Sequence, residues 1–194
     1  VISDDDGATW RQAESVPTQA LLTSVYFAND QVGYAVGHDA VIIKTEDAGE
    51  NWELKYDDPE AEMPLFSVMF TDENNGVAVG AFSTALSTTD GGETWNLSSV
   101  IPDPPPPLEG LEDEPHLNAV FAGPDNTLFI AAETGFIFRS TDRGATWEPI
   151  KTPYFGSFWG GMTLDDGNIL IFGMRGNVWR SGDQGNTWTQ VETG

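Results

Sequence analysis

An all-β propeller of four-stranded antiparallel blades is the fold this chain predicts, on three observations. The pattern Ser/Thr-x-Asp-x-Gly-x-x-Trp occurs five times. Its tryptophans stand 42, 43, 52 and 41 residues apart, and a period near forty is the size of one four-stranded sheet with its turns. Between copies run short β-branched and aromatic segments separated by Gly, Asn and Asp, with no sustained helical period. That is the pattern of antiparallel strands.

Each repeat opens on a strand-like run: 21–28, 65–71, 117–122 and 158–164. A polar turn leads to a second run, 33–37, 76–80, 128–132 and 169–173. These second runs are almost continuously apolar, which predicts burial on both faces, as between stacked blades. The third runs, 41–45, 84–88, 136–140 and 177–181, lead into the motif, and a short fourth strand starts at its Trp. The blades are placed at about 18–58, 64–100, 116–152 and 156–192 of a single propeller region, 1–194. Residues 1–16 supply only a third-strand end and a fourth strand, while the carboxyl end finishes its own blade. The two ends do not complement each other. The expectation is an incomplete ring of four full blades plus an N-terminal hairpin stub, whose other strands precede Val1. An acidic, proline-rich insert occupies 101–115, and its run Pro104–Pro107 favours an extended conformation. It reads as a solvated loop or a docking arm.

The motif copies are Asp5-Gly7-Trp10, Asp47-Gly49-Trp52, Asp90-Gly92-Trp95, Asp142-Gly144-Trp147 and Asp183-Gly185-Trp188, each led by Ser or Thr. An Asp carboxylate and a hydroxyl at these offsets accept N–H bonds within their own turn. Gly supplies a backbone angle that side chains resist, and the Trp pins the hairpin from beneath. Five aspartates at identical offsets do not all serve as one catalytic base, so the motif reads as structural.

These residues carry a resemblance. The pattern is similar to the Asp-box, or BNR repeat, found in sialidases, xyloglucanases, sortilin-type receptors and propellers of the photosystem II assembly and stability factor type. The repeat text (Ser24-Val25-Tyr26-Phe27, Gly33-Tyr34-Ala35-Val36-Gly37, then Ile42-Ile43-Lys44-Thr45) most resembles the last family. Within it, the text is similar to exported bacterial members associated with exporters of the resistance-nodulation-division (RND) superfamily. The resemblance implies a protein-binding scaffold or assembly factor without catalysis, whose partner is a membrane transport or assembly complex. It places the chain in the periplasm or outside the cell. Two features depart from the family. The photosynthetic members carry a docking patch of arginines, whereas this chain has five arginines in an acidic background. The family's ring also has more blades than this chain supplies.

Composition bounds the partners. The chain has 31 acidic and 8 basic residues, a formal net charge of -23. Such a surface repels nucleic acid and anionic membrane. It suits basic protein patches, cations, or plain solubility. No cysteine is present, which removes disulfides and thiolate chemistry. No run reaches the roughly 20 apolar residues of a membrane span, so direct insertion is not expected.

No catalytic set, cofactor motif or metal site emerges. His38 and His116 lie on different repeats without ligand spacing. Only Arg175 is expected to face a central pocket, and one arginine does not form a sialidase triad. Acidic candidates such as Asp39, Asp57, Asp58, Glu60, Glu62 and Glu133 are too numerous to single out a facing pair. The alternative function, a carbohydrate-binding or glycoside-hydrolysing protein, would need such a pair. The expected binding residues lie in loops opposite the motif turns: Tyr154, Phe155, Trp159, Arg175, His38, Asp57 and Asp58. Of these, Trp159 reads first as packing around the central channel and His38 as a structural or solvated residue, while Tyr154 and Phe155 read equally as packing and as recognition.

Overall fold

The computed structural model describes residues 1–193 and forms four antiparallel four-stranded sheets, each meandering in chain order. Blade 1 holds β1 (Leu22–Phe27), β2 (Gly33–Gly37), β3 (Ile42–Thr45) and β4 (Glu53–Tyr56). Blade 2 holds β5 (Leu65–Phe70), β6 (Gly76–Gly80), β7 (Ala85–Thr88) and β8 (Asn96–Ser98). Blade 3 holds β9 (Leu117–Ala122), β10 (Leu128–Ala132), β11 (Phe136–Ser140) and β12 (Glu148–Lys151). Blade 4 holds β13 (Phe158–Thr163), β14 (Ile169–Gly173), β15 (Val178–Ser181) and β16 (Thr189–Val191).

The blades stack as an incomplete propeller. Their first strands lie side by side at the inner edge, β1 on β5, β5 on β9, and β9 on β13. Three apolar cores fill the junctions. One joins Tyr34, Val36 and Ile42 of blade 1 to Leu65, Val68 and Phe70 of blade 2. A second joins Val77, Val79 and Ala85 of blade 2 to Leu117, Ile130 and Phe138 of blade 3. A third joins Phe129, Ala131 and Ile137 of blade 3 to Phe158, Ile171 and Trp179 of blade 4. The second strands β2, β6 and β10 are therefore buried throughout. Strand β14 is not, because one face of blade 4 has no neighbour: Phe172 and Met162 stay exposed there.

The five Asp-boxes share one hydrogen-bond scheme. The Gly N–H donates to the leading hydroxyl, at 2.7–3.0 Å. The Asp carboxylate accepts the backbone N–H four residues on, at 2.8–2.9 Å. It also accepts that residue's side chain, a Thr in four boxes and Asn51 in the other. These donors hold all five carboxylates below their ordinary range; Asp90 falls to about 2, chiefly through Thr94. At Asp142 burial works in the opposite direction and the bonds from Thr146 outweigh it. The turn also needs more than its glycine. Asp6, Ala48, Gly91, Arg143 and Gln184, which precede the box glycines, take left-handed backbones too, so two successive residues carry positive φ, as in a type I′ hairpin.

Each box tryptophan packs toward the preceding blade: Trp95, Trp147 and Trp188 are buried in the three junction cores. Trp52 faces the side of blade 1 on which the stub lies, with Val16 and Ala20. The stub is pinned by Ile2–Arg11 and Ser15–Asn51 bridges. Its own Trp10 departs from the expected pinning: it is 63% exposed, since no blade lies beneath it.

The insert is neither a free arm nor a wholly solvated loop. Leu111 is fully buried in the core between blades 2 and 3, with Leu108 packed against it.

Candidate protein-binding face

The boxes and the turns between first and second strands occupy one side of the arc. The other side carries two kinds of connection. Tight turns join second to third strands, and longer segments (57–64, 99–116 and 152–157) lead to the next blade. In each tight turn two successive residues take left-handed backbones: Asp39-Ala40, Phe82-Ser83, Thr134-Gly135 and Arg175-Gly176. The first residue of each turn donates its N–H to a carbonyl at the mouth of its blade's first strand: His38 to Leu21, Ala81 to Pro64, Glu133 to His116 and Met174 to Ser157, at 2.9–3.2 Å. The four turns are thus held in equivalent poses. They display an acid, an aromatic ring, a hydroxyl and a guanidinium at one repeated position.

Charge is partitioned between the two sides. Among the described residues the ion pairs are Arg11 with Asp4 and Glu50, Lys44 with Glu46 and Glu93, Lys55 with Glu53 and Glu93, Arg139–Glu148, Arg143–Asp72 and Arg180–Asp166. Every carboxylate in this set lies in or beside an Asp-box or a turn on the same side. The carboxylates of segments 57–64 and 99–116, Asp57, Asp58, Glu60 and Glu112 among them, take part in none of these pairs. Phe82 and Phe155 stand beside them with 53% and 82% of their surface open.

The expected binding residues fall into separate groups. His38 and Asp58 meet at the mouth of blade 1, where the Asp58 N–H donates to the carbonyl of Asp39, next to His38, at 2.8 Å, and Asp57 is adjacent. Tyr154, Phe155 and Arg175 come together three blades away, at blade 4, in a cleft of about 600 Å³ lined also by Met174, Asn177, Trp179 and Gln190. This corrects the expected position of Arg175. Gln190 belongs to the outermost strand β16, so the cleft lies toward the outer part of blade 4 and is not a central pocket. Trp159 joins neither group. A bulge between Phe158 and Gly160 turns it out of the blade, and it is exposed on β13. Phe82 is not among the expected binding residues, and His116 enters the sequence analysis only as a metal-ligand candidate without a partner; their rings meet edge to face at 4.7 Å. The signal was present: Phe82 occupies the turn position that Arg175 occupies in blade 4.

Among the described residues no group of three or more His, Asp or Glu side chains is placed to hold a metal. Among the described residues no helix is long and apolar enough to cross a membrane.

A family model described as photosynthesis system II assembly factor YCF48 matches residues 58–194. The chain belongs to the YCF48 assembly-factor family. A search of curated proteins returns no match. Among solved structures, YCF48 from Cyanidioschyzon merolae aligns with TM-score 0.67 and 21% identity, covering 94% of this chain and 59% of that one. A virginiamycin B lyase from Staphylococcus aureus aligns with TM-score 0.71 and 17% identity, covering 91% of this chain and 57% of that one. A YCF48 structure described as bound to D1 peptide aligns with TM-score 0.49 and 19% identity, over 91% of this chain and 70% of that one. The chain thus spans about three fifths of the Cyanidioschyzon protein. At these identities the likeness to solved structures is one of fold; kinship rests on the family model.

Proposed function

We propose that the chain is a non-catalytic scaffold that holds a polypeptide partner on the loop face opposite the Asp-boxes. The partner is a component of a membrane transport or assembly complex of the cell envelope, of the RND type, and the chain works in the periplasm or outside the cell. The observation that carries the reading is the partition of charge. The side-chain ion pairs among the described residues all lie on the Asp-box side, whereas the loop face leaves two acidic segments without a basic partner beside exposed aromatic rings. Unpaired charge raises the rate of encounter with a basic surface, and exposed Phe supplies the apolar anchors on which affinity concentrates. Membership of an assembly-factor family supports the same role. The resemblance of the repeat text to exported, exporter-associated members supports the location and partner.

Site-specific photo-crosslinking in native membranes tests this. A crosslinker in place of Phe82 or Phe155 is expected to capture an envelope transport or assembly protein, and one in place of Thr94, on the Asp-box side, is expected to capture none. Capture from the Asp-box side alone, or turnover of glycosides by the purified chain, would overturn the reading.

A further inference from the structure

The cleft at blade 4 differs in charge from the rest of its face. Segments 152–157 and 173–177 contain no acidic residue. Six of the eight Lys and Arg side chains pair with carboxylates on the Asp-box side. Lys151 donates to the carbonyls of Glu109 and Thr134, at 3.1 and 2.6 Å, and lies over the Phe136 ring. Arg175 is left as the one guanidinium without a protein acceptor among the described residues, on an exposed turn at the cleft rim.

The remaining polar groups of the cleft are largely engaged with one another. The Tyr154 hydroxyl and the Asn177 amide both donate to the Met174 carbonyl, at 3.2 and 2.9 Å. The Gln190 amide donates to Asn177 Oδ1 at 2.9 Å. Trp179, 92% buried, contributes an indole Nε1–H with no acceptor. A buried donor without a partner is costly. That N–H lies below the surface, so the cleft offers one accessible strong donor, the Arg175 guanidinium, against a wall of Tyr154, Phe155, Met174 and Trp179. In a chain of net charge -23, an exposed guanidinium that forms no ion pair among the described residues is where an anion from outside can bind.

We propose that this cleft is a subsite for the carboxylate of an Asp or Glu side chain within an extended segment of the partner, with the adjacent apolar side chain seated against the aromatic wall. A guanidinium matches a carboxylate by paired, charge-assisted hydrogen bonds, and the cleft volume accommodates one large side chain beside it. Arg175 and Phe155 stand on the exposed rim, so the bound segment runs across the cleft and does not need to end in it. The inference rests on the loop face being the binding face and adds the chemistry read at one end of it.

The test uses the whole chain and three pools of hexapeptides. One pool is acetylated and amidated, with a central Glu or Asp between apolar residues. The second replaces the acid with Gln. The third carries Gln and a free C-terminal carboxylate. Binding is read from the indole N–H resonance of Trp179, assigned with Trp179→Phe, and from the Arg175 Nε–H. The acidic pool should give saturable shifts at millimolar concentration. Arg175→Gln should weaken binding about tenfold, the loss of one charge-assisted contact, while Arg143→Gln on the Asp-box side leaves it unchanged. Equal binding by the Gln pool, binding confined to the free-carboxylate pool, or no Arg175-dependent shift with any pool overturns the proposal. Crosslinking from Phe82 reports separately on the loop face, so the two readings fail independently.

Discussion

Trp95 is the box indole whose N–H has no acceptor; those of Trp10, Trp52, Trp147 and Trp188 donate to the carbonyl of their box glycine at 2.9–3.1 Å. Its box is also the one with two successive glycines, and the carbonyl of Gly91, the residue before the box glycine, accepts from the Tyr34 hydroxyl of blade 1, at 2.8 Å. Trp95 still packs edge-on to Phe70, which stacks on Tyr34 at 3.9 Å. Replacing Trp by Phe keeps most of the ring contact and removes the N–H. Trp147→Phe should therefore cost about 0.5–1.5 kcal/mol more than Trp95→Phe, the net worth of one hydrogen bond. Chemical denaturation of both variants checks this, and equal losses would show that the N–H bond contributes nothing. The same box sets a pH dependence. Asp90 titrates near 2 in the fold against an ordinary 3.8, so the stability it confers is complete above about pH 4 and is lost as pH falls toward 2. Asp90→Asn should lower the melting temperature at neutral pH by about 2–4 °C and flatten the decline between pH 4 and 2. A decline as steep as in the parent protein would assign the acid sensitivity elsewhere.

Elements outside the boxes obey longer-range constraints, and the insert shows this best. Its run of four successive prolines dominates the sequence, yet Leu111 is the residue that fastens it, buried with Val100, Phe136 and neighbouring side chains of blades 2 and 3. Leu111→Ala should destabilise the protein by about 2–5 kcal/mol, whereas replacing Pro105 and Pro106 with Ser should cost under about 1 kcal/mol. Thermal melts of the two variants discriminate; equal losses would mean that chain stiffness, and not the buried side chain, holds the insert. Strands and boxes were legible in the sequence because their causes are local: alternating burial, turn glycines and an Asp acting within eight residues. The residue before each box glycine escaped notice because Ala48, Arg143 and Gln184 do not advertise a left-handed backbone. The blade 4 cleft escaped because Trp179 and Gln190 reach it from other strands, a relation that only the register of β14, β15 and β16 creates. Leu111 escaped because an isolated Leu in an acidic stretch carries no period.

Across the whole molecule, repetition makes the ends of the arc predictable from its middle. Leu22, Val25 and Phe27 of β1 correspond to Leu65, Val68 and Phe70 of β5. The latter are buried against blade 1; the former are 40, 60 and 43% exposed. At the other end Met162 and Phe172 are the exposed counterparts of residues that blades 1 to 3 turn toward the next blade. Each end thus leaves exposed apolar residues of the kind that elsewhere fill the junctions between blades, although the stub covers part of the blade 1 face. Apolar patches of this kind drive association, which the net charge of -23 opposes through mutual repulsion. Salt screens the repulsion, with a Debye length falling from about 30 Å at 0.01 M to about 3 Å at 1 M, and leaves the apolar attraction in place. The 194-residue chain should therefore self-associate more strongly as sodium chloride rises, opposite to the behaviour of a complex held by ion pairs. Val25→Glu, which puts charge into the exposed apolar face of blade 1, should restore the monomer at high salt, and Thr94→Glu on the Asp-box side should not. Sedimentation velocity across a concentration series decides the matter. Association that weakens with salt, or that ignores Val25→Glu, would mean that the contacts form elsewhere and that the exposed blade faces are not adhesive.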